Sequence, residues 1–199
     1  DTMRIGPDSK EIWSKFDFLY YKIGRVAMPS LKYALRSTIQ RSYMHNTWWV
    51  NDPDCVIVRE NNCKLTLAEI ILQLTIFGLS GGQLLISDDE TKVSKDRLNL
   101  LKKIIPPHSP PLIQDNPEII QTSLSPIPLD IFENMYPKLF ARTITTPFGF
   151  RHLIAIINWE RKLISKSVKI KDLINYENRN FYKPEQKFAV FDYWNEKIH

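Results

Sequence analysis

Between residues 30 and 46 the chain reads SLKYALRSTIQRSYMHN, with apolar Leu31, Ala34, Leu35, Ile39 and Tyr43 recurring every three to four positions. That spacing predicts an amphipathic helix with one buried stripe, opened by Ser30 as N-cap just after Pro29. WWVNDPDCVIVR (48–59) follows as a strand pattern interrupted by the turn-prone Asn-Asp-Pro, with residues 55–58 as a buried apolar run. TLAE (66–69) has the form of a capping box, in which Thr66 and Glu69 satisfy each other's backbone donors. The Ile- and Leu-rich helix it opens is predicted to stop at GLSGG (78–82), where glycine permits left-handed backbone. QLLISDD (83–89) reads as another short buried strand ending in carboxylates, and SKDRLNLLKKII (94–105) as a last helix. Helix, strand, helix, strand, helix is the rhythm of parallel βα units.

The pattern changes after residue 105. Nine of the chain's 13 prolines fall between positions 106 and 147, which predicts a linker or a loop-rich domain edge. Beyond it, HLIAIINWE (152–160), KSVKIKDL (166–173) and KFAVFDYWN (187–195) are rich in β-branched and aromatic residues and lack helical periodicity. Such runs suggest an antiparallel β-sandwich, although three or four strands do not complete one and the last has no partner strand after it. The expected division is therefore residues 1–105 as βα units and 106–199 as a proline-rich linker with a β-sandwich. The chain is expected to start inside one domain and stop inside another, and its first residue is Asp1 rather than a methionine.

Composition narrows the class. The 199 residues are 43% hydrophobic and 25% charged, as in an ordinary globular protein. No apolar run approaches the roughly 20 residues that span a bilayer, and DTMRIGPD lacks a signal-peptide pattern. The net charge of +5 invites a nucleic-acid reading, but basic residues are scattered among acidic ones and never run beyond two, as at Lys102-Lys103. Solvated lysine faces account for that better than a phosphate-binding stripe, so neither nucleic acid nor membrane is an expected partner. Cys55 and Cys63 form no zinc pattern and read as reduced thiols, and the four dispersed histidines make no ligand set. A cytoplasmic location is the corresponding expectation.

Three short motifs place aspartates beside apolar or turn-forming residues. In RIGPD (4–8) glycine and proline turn the chain between Arg4 and Asp8, as at the end of a barrel strand. KFDF (15–18) carries Asp17, and NDPD (51–54) carries Asn51, Asp52 and Asp54. MRIGPD, then ALRSTIQRSYMHN, then WWVNDPDCVIVRE together resemble the C-terminal part of the catalytic barrel of α-galactosidases, glycoside hydrolase family 36, with a related pattern in family 27. The resemblance covers about residues 3–105.

That resemblance implies the C-terminal part of a (β/α)8 TIM barrel followed by an incomplete β-sandwich. It implies a retaining hydrolase that removes terminal α-linked galactose from oligosaccharides and needs no cofactor. Asp8 would be the general acid/base and Arg4 a donor to sugar hydroxyls. The family's nucleophile lies in a K-x-D-F-type motif that precedes R-x-x-x-D, whereas KFDF here follows it. Asp17 is then expected to be solvated on a loop or helix that packs its aromatic neighbours, with a rearranged site as the alternative. The nucleophile is expected upstream of Asp1, making the missing N-terminal half a partner and leaving the isolated chain inactive. Asp52 and Trp49 are further substrate-binding candidates, and homo-oligomerisation is left open. NDPD can instead set a turn through side-chain-to-backbone hydrogen bonds, and of the adjacent Trp48 and Trp49 at least one is expected in the core. Asp88 and Asp89 are expected to order a loop first and line a pocket second. An α-N-acetylgalactosaminidase or transglycosidase would use the same acid/base, and a non-catalytic carbohydrate- or partner-binding remnant is the alternative from another class.

Overall fold

The structure is a computed structural model, and it describes residues 1–14, 29–105, 127–128, 134–146, 149–169, 185 and 187–199. Lys15 and Asp17 of KFDF lie outside the described residues, as does most of the 106–133 stretch.

Strand β1 (Thr2–Arg4) pairs in parallel with β2 (Val50–Asp52), in the register Thr2↔Val50, Met3↔Asn51, Arg4↔Asp52. A parallel pair needs a crossover, and helix α1 (Leu31–Gln40) lies in that connection. Its stripe of Leu31, Ala34, Leu35 and Ile39 is buried as the periodicity predicts. Tyr43 departs from the stripe and is 57% exposed, because α1 ends at Gln40 and Ser42–Met44 winds as a tighter 3-10 turn. Ser30 holds the N-cap position in extended backbone, but its hydroxyl makes no capping bond.

The strand pattern at 48–59 breaks into β2 and β3 (Cys55–Val56) around Pro53. Strand β3 pairs in parallel with β4 (Leu85–Ile86), and helix α2 (Leu67–Ser80) makes the crossover. The capping box forms in full: the Thr66 amide donates to Glu69 Oε2 at 2.7 Å and the Glu69 amide to Thr66 Oγ1 at 3.3 Å. Buried Gln73 on α2 accepts from the Ile57 amide at 3.3 Å and donates to the Cys55 carbonyl at 3.4 Å, so helix and strand share polar bonds as well as apolar contact. Val56, Ile57 and Val58 are buried as expected, but Cys55 is only half-buried, and Leu85 and Ile86 of β4 are 43% and 37% exposed and not the buried pair the sequence suggested. Among the described residues β4 has a strand on one side only, and nothing described packs over its side chains closely enough to bury them. Helix α3 (Lys95–Lys102) follows, with the Arg97 amide donating to the Ser94 hydroxyl at 3.4 Å. No helix among the described residues is long and apolar enough to cross a membrane.

Asn51, 2% exposed at the middle of β2, joins these pieces. Its carbonyl accepts from the Gln83 amide at 2.9 Å and its side-chain nitrogen donates to the Arg41 carbonyl at 3.0 Å. Its side-chain oxygen accepts from Trp49 Nε1 at 3.1 Å, and its amide points at His45 Nδ1 at 3.2 Å. The other ring nitrogen of buried His45 faces the Gly82 amide at 3.1 Å. Neutral imidazole accepts at one nitrogen only and imidazolium at none, so the ring is held neutral. Burial lowers its pKa from 6.5.

The proline-rich region is not all linker: it contains β5 (Ile127–Pro128) and all of β6 (Leu139–Thr146), which pairs antiparallel with β7 (Gly149–Ile156) along its whole length. The segment after β7 packs back on the helical layer. Trp159, 2% exposed, stacks on Trp13 with centroids 6.0 Å apart and donates from Nε1 to the Pro137 carbonyl at 2.7 Å. Lys32 Nζ of α1 lies 4.7 Å from the centre of the Tyr136 ring, and Arg161 forks onto Glu69 at 2.7 and 3.3 Å.

The described residues form two compact units, Asp1–Ile164 and Ser165–His199. In the second unit the expected strand at 187–195 is shorter. β8 (Phe191–Asp192) pairs antiparallel with β9 (Lys197–Ile198), so it does have a partner strand after it. Residues 166–169, the described part of the KSVKIKDL strand pattern, form no strand. The architecture shown is mixed α/β with small sheets.

The Asn51 node can be probed at Gly82 and at His45. A Cβ on Gly82 would stand 2.7 Å from the Asn51 carbonyl at a φ of +104°, so Gly82→Ala combines a clash with backbone strain. It is expected to cost about 2 kcal/mol or more in urea unfolding. Because the folded state favours neutral His45, its contribution is complete above 6.5 and fades as pH falls through the lower folded value. His45→Gln is therefore expected to flatten the fall in unfolding midpoint between about pH 7.5 and 5.

Candidate functional site

The parallel ladder puts the C-terminal ends of β1 and β2 side by side, and the residues there converge on one guanidinium. Arg4 Nε donates to Asp52 Oδ2 at 3.0 Å, Nη1 to Asp8 Oδ1 at 3.5 Å, and Nη2 lies 3.1 Å from Asp54 Oδ1. The Arg4↔Asp52 register sets the first contact, the Gly6-Pro7 turn brings back Asp8, and the Pro53 turn brings in Asp54. The Asp52 hydrogen bond raises the Arg4 pKa against partial desolvation, with the charges of Asp54, Asp52 and Asp8 adding to it.

The three carboxylates are not equivalent. Both Asp52 oxygens are engaged, Oδ2 by Arg4 and Oδ1 by the Asp54 amide at 2.8 Å, and its side chain is 16% exposed. Both Asp54 oxygens are engaged as well, Oδ1 by Arg4 and Oδ2 by the Ser9 amide at 2.6 Å, with 14% exposure. Asp8 is 65% exposed, and among the described residues its Oδ2 has no partner. NDPD thus does set the turn its sequence suggests, through Asp52 Oδ1 and the amide two residues on. Three of Arg4's five N–H groups face the aspartates, and among the described residues the other two have no partner.

Trp49 has no described contact with the three aspartates, but it lines the same open cleft as Arg4, Gly6 and Pro7. It precedes β2, at the opposite end of the strand pair from Asp8, Asp52 and Asp54. The cleft, of about 460 Å³ beside β1, is also lined by Met3, Ser37, Arg41 and Met44. Neither tryptophan is in the core: Trp48 is 63% exposed and Trp49 half-buried. Both precede the ladder, where the alternation of a strand does not apply.

A second charged node lies at the ends of β3 and β4. Arg59 bridges Asp88 and Glu11, and the fully buried Asp88 carboxylate also accepts the Val58 and Arg59 amides at 2.6 and 2.9 Å. Burial works against the Arg59 charge, but the hydrogen bond and charge of Asp88, with Glu11, outweigh it and raise the pKa. Asp88 is therefore a loop-ordering group, as is Asp89, whose Oδ1 accepts the Thr91 amide at 3.1 Å. The sequence reading missed Arg59 and Glu11; the available signal was an arginine directly after the buried run at 55–58.

No family model matches the chain. Among solved structures it is similar to an α-galactosidase from Thermus thermophilus in complex with stachyose, at 24% identity and a TM-score of 0.45, over 52% of this chain and 22% of that one. The same enzyme in complex with p-nitrophenyl α-D-galactopyranoside gives 23% identity and a TM-score of 0.37, over 53% and 22%. The chain thus spans about a fifth of that enzyme's length.

Arg4 balances three negative groups, two of them largely shielded. Arg4→Leu is expected to cost about 1–2 kcal/mol in urea unfolding, the half-exposed position holding it to the low end for charged hydrogen bonds. Arg4→Lys, a point charge in place of a fork, is expected to recover less than half of that loss, about 0.5 kcal/mol, in the same assay.

Proposed function

We propose that this chain carries the acid/base part of a retaining α-galactosidase-type site, on the last βα units of a (β/α)8 barrel of the glycoside hydrolase family 36 kind. The observation that carries the reading is the inequality among the aspartates. At the C-terminal ends of two parallel strands, Asp52 and Asp54 have both oxygens engaged, while Asp8 keeps one oxygen without a described partner beside an arginine. A group that must take and give a proton needs such a free oxygen within reach of substrate.

In this reading Asp8 protonates the departing glycosidic oxygen as the bond to the galactosyl carbon breaks. It then takes a proton from the water that releases the sugar. Arg4 directs its two remaining N–H groups at sugar hydroxyls. The nucleophile must stand about 5–5.5 Å from the acid/base. Asp52 and Asp54 are poor candidates, since a carboxylate held by a guanidinium and an amide has its electron pairs already directed. That group belongs to a preceding part of the barrel, as do the strands that would close it. Asp52 serves as a support for Arg4 rather than a ligand for sugar, and Trp49 flanks the approach through the cleft. Residues 106–199 would supply the linker and part of a β-sandwich.

The chain alone is expected to be inactive on α-galactosides. Supplemented with the preceding barrel half of an α-galactosidase, it is expected to cleave both an α-galactosyl oligosaccharide and p-nitrophenyl α-galactoside. Asp8→Ala should lower kcat on the oligosaccharide by about 10²–10⁴-fold. The loss in the galactosyl-transfer step should be smaller for the aryl galactoside, because p-nitrophenolate departs without a proton. Equal activity of wild type and Asp8→Ala on the oligosaccharide would end the assignment.

A further inference from the structure

The exposed Asp8 side chain has little of its own to hold it in place. Its described contact is the 3.5 Å approach of Arg4, the longest of the three Arg4 contacts. Its backbone, in contrast, is tied on both sides. Before it, the Ile5 amide donates to the Asp52 carbonyl at 3.0 Å, extending the β1–β2 ladder. After it, the Ser9 amide donates to Asp54 Oδ2 at 2.6 Å, and Ser9 is buried. Between the two ties, Gly6, Pro7 and Asp8 form an arch with Asp8 on it.

Asp54 has the shape for the second tie. Its φ of 78° lies in the left-handed region, which aspartate tolerates better than most residues, and its amide donates to Asp52 Oδ1 at 2.8 Å. In that conformation one carboxylate oxygen meets Arg4 while the other meets the Ser9 amide. One side chain thus holds the arginine beside Asp8 and the peptide immediately following Asp8.

We propose that Asp54 is a positioning residue for Asp8: its carboxylate clamps the Ser9 amide and the Arg4 guanidinium, and so sets where the proton-transferring group stands. The proposal rests on the reading of Asp8 as acid/base, but its physical content, a clamp on the arch, is tested without activity. If the clamp fails while Asp8→Ala still abolishes turnover, the positioning role falls and the acid/base reading stands. If the clamp holds while Asp8→Ala leaves turnover unchanged, the acid/base reading falls and the clamp stands.

The test is amide hydrogen exchange and ¹⁵N relaxation on the full chain, as wild type, Asp54→Ala and Asp54→Asn, with unfolding midpoints as the control for global loss. In Asp54→Ala the Ser9 amide is expected to exchange about tenfold faster or more, with Ile5 changed less than about threefold. The Asp8 backbone order parameter should fall from about 0.85 toward 0.6. Asp54→Asn keeps an acceptor oxygen and should restore Ser9 protection to within about threefold of wild type. Ser9 exchange and Asp8 order unchanged in Asp54→Ala would overturn the proposal, as would Asp54→Asn behaving like Asp54→Ala. Should Asp54→Ala not fold, the wild type and Asp54→Asn decide. Ser9 exchanging at the free-peptide rate in wild type, or losing protection about tenfold or more in Asp54→Asn, overturns the clamp.

Discussion

Buried Asn51 is the constraint on which the rest of the first unit depends. A polar side chain at 2% exposure is tolerable only if its groups are partnered, and here the partners come from three directions. Arg41 belongs to the end of the α1 region, Trp49 to the approach to β2, and Gln83 to the approach to β4. The two ring nitrogens of His45 face the Asn51 and Gly82 amides, and the neutral ring accepts from one of them. Each bond is local and modest, yet losing one partner strands a buried donor or acceptor, which costs more than the bond contributes when made. Helix end, strand β2 and the turn after α2 are held as one object, and that object fixes how the strand ends meet.

What meets there is a charge arrangement with a built-in hierarchy. One guanidinium faces three carboxylates, two of which are also tied to backbone amides. The tied pair offsets the arginine's charge and removes its freedom to swing. Asp8 is left solvated, weakly held through its side chain and placed by its backbone. For a proton-transferring group this combination is useful, since a carboxylate locked into several donors exchanges protons reluctantly. The Arg59 node shows the contrasting outcome. Its Asp88 is fully buried, caps the backbone at residues 58 and 59, and is occupied in holding the loop.

The margins of the parallel layer behave differently from its middle. The Ile5 and Val50 amides show that β1's odd-numbered residues turn their backbone groups to β2. The backbone groups of Thr2 and Arg4 therefore face the other way, where no described strand pairs with them. Leu85 and Ile86 on β4 are likewise exposed. The helical side is better covered, because the segment after β7 lays Trp159 against Trp13 and joins Arg161 to Glu69. That one carboxylate both completes a capping box and anchors a residue far along the chain.

Much of this architecture was legible from local pattern. The apolar spacing of α1, the Thr66/Glu69 box, the glycine stop after α2 and the Asx turn at NDPD are set by interactions within a few residues, so the chain specifies them wherever it folds. Other features were out of reach because they depend on residues far apart in sequence. Tyr43 and the two tryptophans carry apolar character without burial, since burial is decided by what packs against a position. The strand in the proline-rich stretch forms because β7 offers it a partner along its whole length. Most of all, three similar aspartates at the strand ends became two fixed supports and one exposed acid. By itself the sequence determined the local turns, caps and helical stripe; only the tertiary structure decided which carboxylate keeps an oxygen without a partner among the described residues, because that depends on which amides and which guanidinium the folded strands bring within hydrogen-bond reach.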